Sequence, residues 1–295
     1  MATIRSLIKR NLKLYFRDKA AVFFSLLSVI IIIGLYALFL GDLQVQSLTD
    51  AAGQVFPDAG WMVNAWILAG VLAVTTVTVS LAAYGTMVDD MYNGQIKDFF
   101  VAPINRGKLV FAYMISSALI SFIMNIIAFT VSETYIVISG GMLLEPLQIL
   151  EVIGVLALSI FSFSSMMCFI TSFLKSPNAF GTLSTILGTL IGFFTGIYVP
   201  IGVLPKSIGT VMKFLPFSYT AAWLRQIFTE VPVERIFLGA PAEAAKEYAA
   251  FYGINLYFGD RLVGRWEMAV IIVVTGVIFF VLSVWRLSKR TWVRK

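Results

Sequence analysis

From Ala20 to Leu40 the chain runs for about 21 residues without a charged side chain, and this stretch decides which solvent the fold must tolerate. A helix rises about 1.5 Å per residue, so about 20 apolar residues cross the roughly 30 Å hydrocarbon core of a bilayer. Comparable runs recur at 61–88, 109–138, 147–174, 179–200 and 266–285. Lipid offers no partner to a bare backbone amide, so each run has to be helical. The rest of the chain agrees: among 295 residues 59% are hydrophobic and only 13% charged, which no ordinary soluble domain matches. The expected architecture is an all-α membrane protein with six transmembrane helices.

Positive charge gives the direction of threading. Residues 1–19 carry 6 of the 22 Lys and Arg, whereas 41–60 holds Asp42, Asp50 and Asp58 and no basic residue. Short cytoplasmic segments hold an excess of Lys and Arg, so the N-terminus is expected inside. The segments 89–108, 175–178 and 286–295 then fall inside, and 41–60, 139–146 and 201–265 outside. On that assignment 15 basic residues are cytoplasmic, and the other 7 all lie in the last external segment, where its length makes the rule weakest. Both termini are expected in the cytoplasm. No leader is expected to be removed, because the apolar core is long and Leu40-Gly41-Asp42 is a poor cleavage site. Trp61 and Trp66 read as an interfacial belt opening the second span.

Arg5, Lys9, Lys13 and Arg17 recur every four residues and share one helix face, with Ile4, Leu7, Ile8, Leu14 and Tyr15 on another. Residues 1–19 are therefore expected to form an amphipathic helix at the lipid headgroups. The polar island 89–108 is far longer than the roughly 2–8 residues that usually join neighbouring helices. Asn93-Gly94 is a turn signal, 95–102 can form two helical turns with Ile96, Phe99 and Phe100 on one side, and Pro103 ends them. From spacing alone such a helix across the mouth of two spans is either a docking element for another protein or part of a solvated loop with a membrane-touching helix.

In the fifth run Ser184, Gly188, Gly192 and Gly196 stand at a strict four-residue interval, which predicts a ridge that lets another backbone approach closely, either within the chain or from a second subunit. Pro200, Pro205 and Pro216 then cut an apolar stretch into pieces too short to span, predicting re-entrant helices over 201–222 and a small external segment over 223–265.

Residue types exclude much chemistry. With no histidine, His-ligated metal sites and His-based acid or base catalysis are ruled out, and with only Cys168 no intrachain disulfide can form. No Gly-x-x-x-x-Gly-Lys-Ser/Thr occurs, so the sequence has no phosphate-binding loop for ATP. The net charge of +6 follows membrane topology and gives no sign of nucleic-acid binding. Mid-span polar residues are Ser, Thr, Asn and Gly, while Glu133 and Glu151 fall near outer ends. An ion-coupled secondary transporter needs ionisable groups near the midplane, and an embedded enzyme needs a nucleophile and base or a carboxylate pair.

The basic amphipathic start, the long first cytoplasmic loop and the proline-broken segment before the last span resemble the permease subunit of type-two ABC exporters, the ABCG-like architecture, over essentially the whole chain. The most specific motifs are Gly94, Pro103 and Arg106 within Asp90 to Arg106, and Gly196, Pro200, Leu204, Pro205, Pro216, Tyr219, Leu224 and Arg225 further on. Many relatives carry Gly-Thr followed by a Glu in the coupling helix, where this chain has Gly94-Gln95 and Lys97-Asp98. The resemblance implies a subunit that is not itself an enzyme and binds no cofactor. ATP and Mg would sit on two copies of a cytoplasmic ABC ATPase, and a second permease copy or a sister permease would complete the path through the plasma membrane.

On this resemblance Asp90, Gly94, Lys97, Asp98, Phe99, Phe100, Pro103 and Arg106 are the expected ATPase-coupling residues. The family's second and fifth spans line its path, which makes Thr75, Thr78, Phe193, Phe194 and Tyr198, with Asn125 of the third span, the expected substrate-path residues. Walls without fixed charge suit an amphipathic or apolar compound moved outward, such as a drug, an antimicrobial or a lipid-like molecule. Export of a lipid-linked polysaccharide by the same machinery is the alternative, and an ion-coupled transporter the rival from another class.

Overall fold

The computed structural model describes residues 2–35, 41, 44–46, 56–96, 106–174 and 176–289. Helix α1 (Ala2–Arg17) buries Leu7, Asn11 and Tyr15, spaced by four, and leaves Arg5, Lys9, Lys13 and Arg17 exposed. Asp18 breaks the helix and its Oδ1 accepts the Ala21 N–H at 3.0 Å, so that α2 (Lys19–Leu35) leaves α1 at 72°. Side-chain capping of a free N–H is what favours Asp at such a break.

Helix α3 (Ala59–Ala82) is the axis of the bundle. It is apolar on every face and therefore stable only when surrounded. Around it pack α2, α5 (Arg106–Ile138), α6 (Pro146–Thr171), α7 (Pro177–Phe194) and α9 (Pro216–Phe228). A tight turn at Ala83-Tyr84 leads into α4 (Gly85–Tyr92), and Gly94 follows at φ +78°, a conformation that costs glycine no Cβ clash. The polar island thus begins as helix, while 97–105, which holds the expected coupling residues Lys97, Asp98, Phe99, Phe100 and Pro103, lies outside the described residues.

Between α7 and the last span come a 3₁₀ turn (Ile201–Val203), α8 (Lys206–Lys213), α9, α10 (Glu230–Ile236), α11 (Ala242–Phe251) and a hairpin of β1 (Tyr257–Phe258) and β2 (Arg261–Leu262). The hairpin is antiparallel, with Tyr257 opposite Leu262. The last helix, α12 (Arg265–Lys289), packs chiefly on α6. The sequence places a boundary between 222 and 223, but α9 runs through it. Trp223, Leu224 and Arg225 are the buried end of one helix that packs on α3, α6 and α12.

Among the described residues four helices are long and apolar enough to cross a membrane: α3 running on into α4, α5, α6 and α12; the bent α1–α2 pair makes a fifth if it is one span. The six-span expectation adds α7, whose 18 residues carry no charge and rise about 27 Å. Helix α5, at 33 residues, rises about 50 Å and so projects beyond the hydrocarbon.

Small polar residues join the helices. Ser80 Oγ donates to Ser121 Oγ at 3.1 Å and Ser117 Oγ to the Ser80 carbonyl at 3.0 Å between α3 and α5. Ser159 and Thr220 hydroxyls meet at 2.9 Å between α6 and α9, and Ser283 Oγ donates to the Ser165 carbonyl at 3.1 Å between α12 and α6. A close approach of two long helices comes at a glycine with no periodic partners: a Cβ at Gly276 would lie 3.0 Å from Ser162 Cα and 2.7 Å from the Phe161 ring. Gly276→Leu is expected to push α12 off α6 at a cost of about 2–3 kcal/mol, read as a lower melting temperature in detergent. An unchanged melt would mean the two helices do not meet as described.

Candidate coupling and transport sites

At one end of α3 the sequence Asp89-Asp90 splits its two carboxylates, one exposed and one buried. Asp90 is 3% exposed. Arg10 of α1 reaches it with both terminal nitrogens, NH1 to Oδ2 and NH2 to Oδ1, each at 2.7 Å. The Tyr113 hydroxyl of α5 donates to the same Oδ2 at 2.5 Å. Arg10 also donates to Gln95 Oε1 at 3.1 Å, just past the Gly94 turn. Next to it Asn11 Nδ2 donates to Ser116 Oγ at 3.2 Å, a second tie between α1 and α5. A planar fork on a carboxylate fixes orientation as well as distance. The cluster therefore sets α1, α4 and α5 in one geometry at the root of the polar island. Asp90, expected to face a partner, instead faces inward, and Arg106 begins α5. The exposed Arg5, Lys9, Lys13 and Arg17 stripe leaves Arg10 on the inner side of α1, which the four-residue repeat did not reveal.

At the opposite end Arg225 of α9 is completely buried. Its NH2 donates to the Gly196 carbonyl at 3.1 Å, and its guanidinium lies 4.5 Å from the Trp66 ring centroid. Trp66 in turn donates Nε1–H to the Tyr252 carbonyl at 2.7 Å. Gly70 gives the guanidinium room, since a Cβ there would stand 3.1 Å from NH2. Trp61 and Trp66, expected at the lipid interface, are both buried; Trp61 lies under Arg235, 5.4 Å from its guanidinium carbon. Nearby, Glu151 accepts Trp223 Nε1–H at 2.8 Å and Arg265 NH1 at 3.1 Å, while Arg265 lies 3.6 Å from Glu230. The Tyr248 hydroxyl, packed against Tyr252, is pushed up by burial and stays protonated.

The ridge at four-residue spacing has no single partner. A Cβ at Gly188 would meet open space, one at Gly192 would strike the Tyr198 ring at 2.2 Å, and Gly196 turns the chain at φ +67° beside Arg225. Ser184 Oγ donates to its own helix at Phe180 O, 2.9 Å away. The expected path residues likewise separate. Thr75 and Asn125 are fully buried, Thr75 bonded to Val71 O at 2.8 Å and Asn125 to Ser121 O at 2.8 Å. Thr78, Gly188 and Tyr198, with Phe24, Ser25 and Val74, line a cleft of about 370 Å³ between α2, α3 and α7. Phe193 is exposed beside Tyr198, with ring centroids 5.3 Å apart, and Phe194 stacks on Phe217 at 6.4 Å.

The described residues thus form a helical bundle with helices long enough to cross a membrane, a cleft between α2, α3 and α7, and a buried ion pair at one end of α3. The chain belongs to the ABC-2 type transporter family, whose model matches residues 2–229. It is thus a multi-pass permease subunit of an ABC transporter, the family's transmembrane part, which has no ATPase of its own and works with ABC ATPase partners. No curated protein matches the chain.

Proposed function

We propose that this permease moves an amphipathic or apolar compound outward across the plasma membrane, driven by two copies of a separate ABC ATPase and completed by a second permease subunit. Both termini are cytoplasmic in this reading, so the Arg10 cluster is at the cytoplasmic mouth and Arg225 at the external one. The observation that carries it is the Arg10 fork on Asp90, which ties the basic helix α1 to the root of the loop expected to dock the ATPase. A push on 95–102 is then delivered to α1, α4 and α5 together instead of being absorbed by a slack loop. Gly94, Lys97, Asp98, Phe99, Phe100, Pro103 and Arg106 are the proposed contact segment, with Asp90 as its anchor. The cleft between α2, α3 and α7, lined by Thr78 and Tyr198 with no charged side chain among the described residues, supports an apolar or amphipathic cargo and offers a coupling ion no carboxylate.

A cysteine placed at Lys97 or Phe100 is expected to crosslink to a co-expressed ATPase. Asp98→Lys should lower transport-linked ATP hydrolysis about tenfold while the two proteins still co-purify. Unchanged stimulation after replacing 95–102 with a flexible linker overturns this site.

A further inference from the structure

Toward the end of α5 remote from Arg10, a carboxylate lies at the floor of an apolar groove. Glu133 is 5% exposed. Its Oε2 accepts the Leu144 N–H at 3.1 Å, but Oε1 is buried and has no hydrogen-bond partner among the described residues. The groove, of about 500 Å³, is bounded by Phe129, Val137, Ile138, Leu143 and Ile149. Thr130 and Thr134 also line it, yet their hydroxyls donate to Ile126 O at 2.9 Å and Thr130 O at 2.7 Å in their own helix. Glu133 is therefore the polar feature an occupant would meet.

A carboxylate oxygen without a partner in apolar surroundings is costly unless a cation or donor reaches it or the group takes up a proton, and a bound cation favours the ionised form. The volume suits a drug-sized molecule, and the Phe129 ring adds attraction for a positive group. Among the described residues no Lys or Arg lines the groove to neutralise a phosphate, so a single positive charge fits it better than a zwitterionic phospholipid. We propose that this groove binds a monocationic amphiphile, with a primary ammonium on Glu133 Oε1 and the apolar body along Val137, Ile138 and Leu143. It is distinct from the α2, α3 and α7 cleft and does not rest on the export reading, because binding is measured with no ATPase present.

The test uses the full chain in phosphatidylcholine nanodiscs and a long-chain alkylamine carrying a benzophenone, compared with the alcohol of the same skeleton. Photolabelling within 129–149, mapped by mass spectrometry, is expected to favour the amine about fivefold. Glu133→Gln should bring the two probes to parity, and Val137→Trp, which fills the groove, should reduce labelling by both. If Glu133→Gln does not fold, Val137→Trp decides alone, and unchanged labelling overturns the site. Equal labelling of the wild type by amine and alcohol also overturns it, as does displacement of the amine by phosphatidylethanolamine, which would assign the groove to a lipid headgroup.

Discussion

Arg10→Ala is expected to lower the ATP hydrolysis stimulated in the partner ATPase by about tenfold or more, and to cost the permease about 2–3 kcal/mol. Without the fork, Asp90 remains buried with the Tyr113 hydroxyl as its remaining described partner, and a desolvated carboxylate that loses its cation is penalised heavily. The cost is moderated because the Arg10 side chain is 30% exposed while that of Asp90 is 4% exposed. Stability and coupling separate in a second variant. Arg10→Met with Asp90→Leu removes both charges and fills the space, so most of the stability should return, as buried pairs replaced by apolar groups often show. Coupling should stay low, because the oriented contact between α1 and α4 is gone. Melting in detergent and ATPase stimulation in proteoliposomes read the two quantities independently. If the double variant couples normally, the fork only holds the fold together and conveys nothing.

Much of the fold was legible because a bilayer imposes one-dimensional rules. Apolar length located four of the spans, or five with the bent α1–α2 pair, and the repeat of Arg5, Lys9, Lys13 and Arg17 located the exposed face of α1. The same repeat hid Arg10, which stands beside Lys9 in sequence but on the inner side, where its partner lies 80 residues away. Nothing local tells Asp90 from Asp89 either, since only packing against α1 and α5 makes one of them interior. The four-residue ridge shows the same dependence on packing: within the chain Gly188, Gly192 and Gly196 meet open space, a folded-back Tyr198 and a turn beside Arg225. Gly276, lacking any periodic signal, makes the close helix contact instead. The end of α9 was misread because Trp223 and Arg225 look like surface residues until their partners Glu151, Trp66 and Gly196 are in place.

At Arg225 substitution by lysine should be more harmful than substitution by methionine, the reverse of what conservation of charge would predict. Arg225 is fully buried, and three features of its site are specific to a planar guanidinium: the bond to the Gly196 carbonyl, the flat contact with Trp66 and the space left by Gly70. Lysine places a compact, strongly hydrated charge on a single point and cannot both lie on the ring and reach the carbonyl. Its expected cost is about 3–4 kcal/mol, the range for a buried charge left incompletely paired. Methionine keeps most of the packing against Trp66 and gives up the bond to the Gly196 carbonyl without burying a charge, which should cost about 1–2 kcal/mol. Gly253→Ala probes the same joint through the backbone. Gly253 sits at φ +64° and an added Cβ would stand 2.6 Å from Ile201 and 3.4 Å from Arg225 NH1, so it should loosen the joint with no change of charge. Limited proteolysis between 237 and 264 gives the local readout, and cleavage should quicken in the order wild type, Arg225→Met, Arg225→Lys. Were lysine instead to protect this segment as well as arginine does, the joint would depend on charge alone, and the Trp66 contact would not determine how α9 is held against α3.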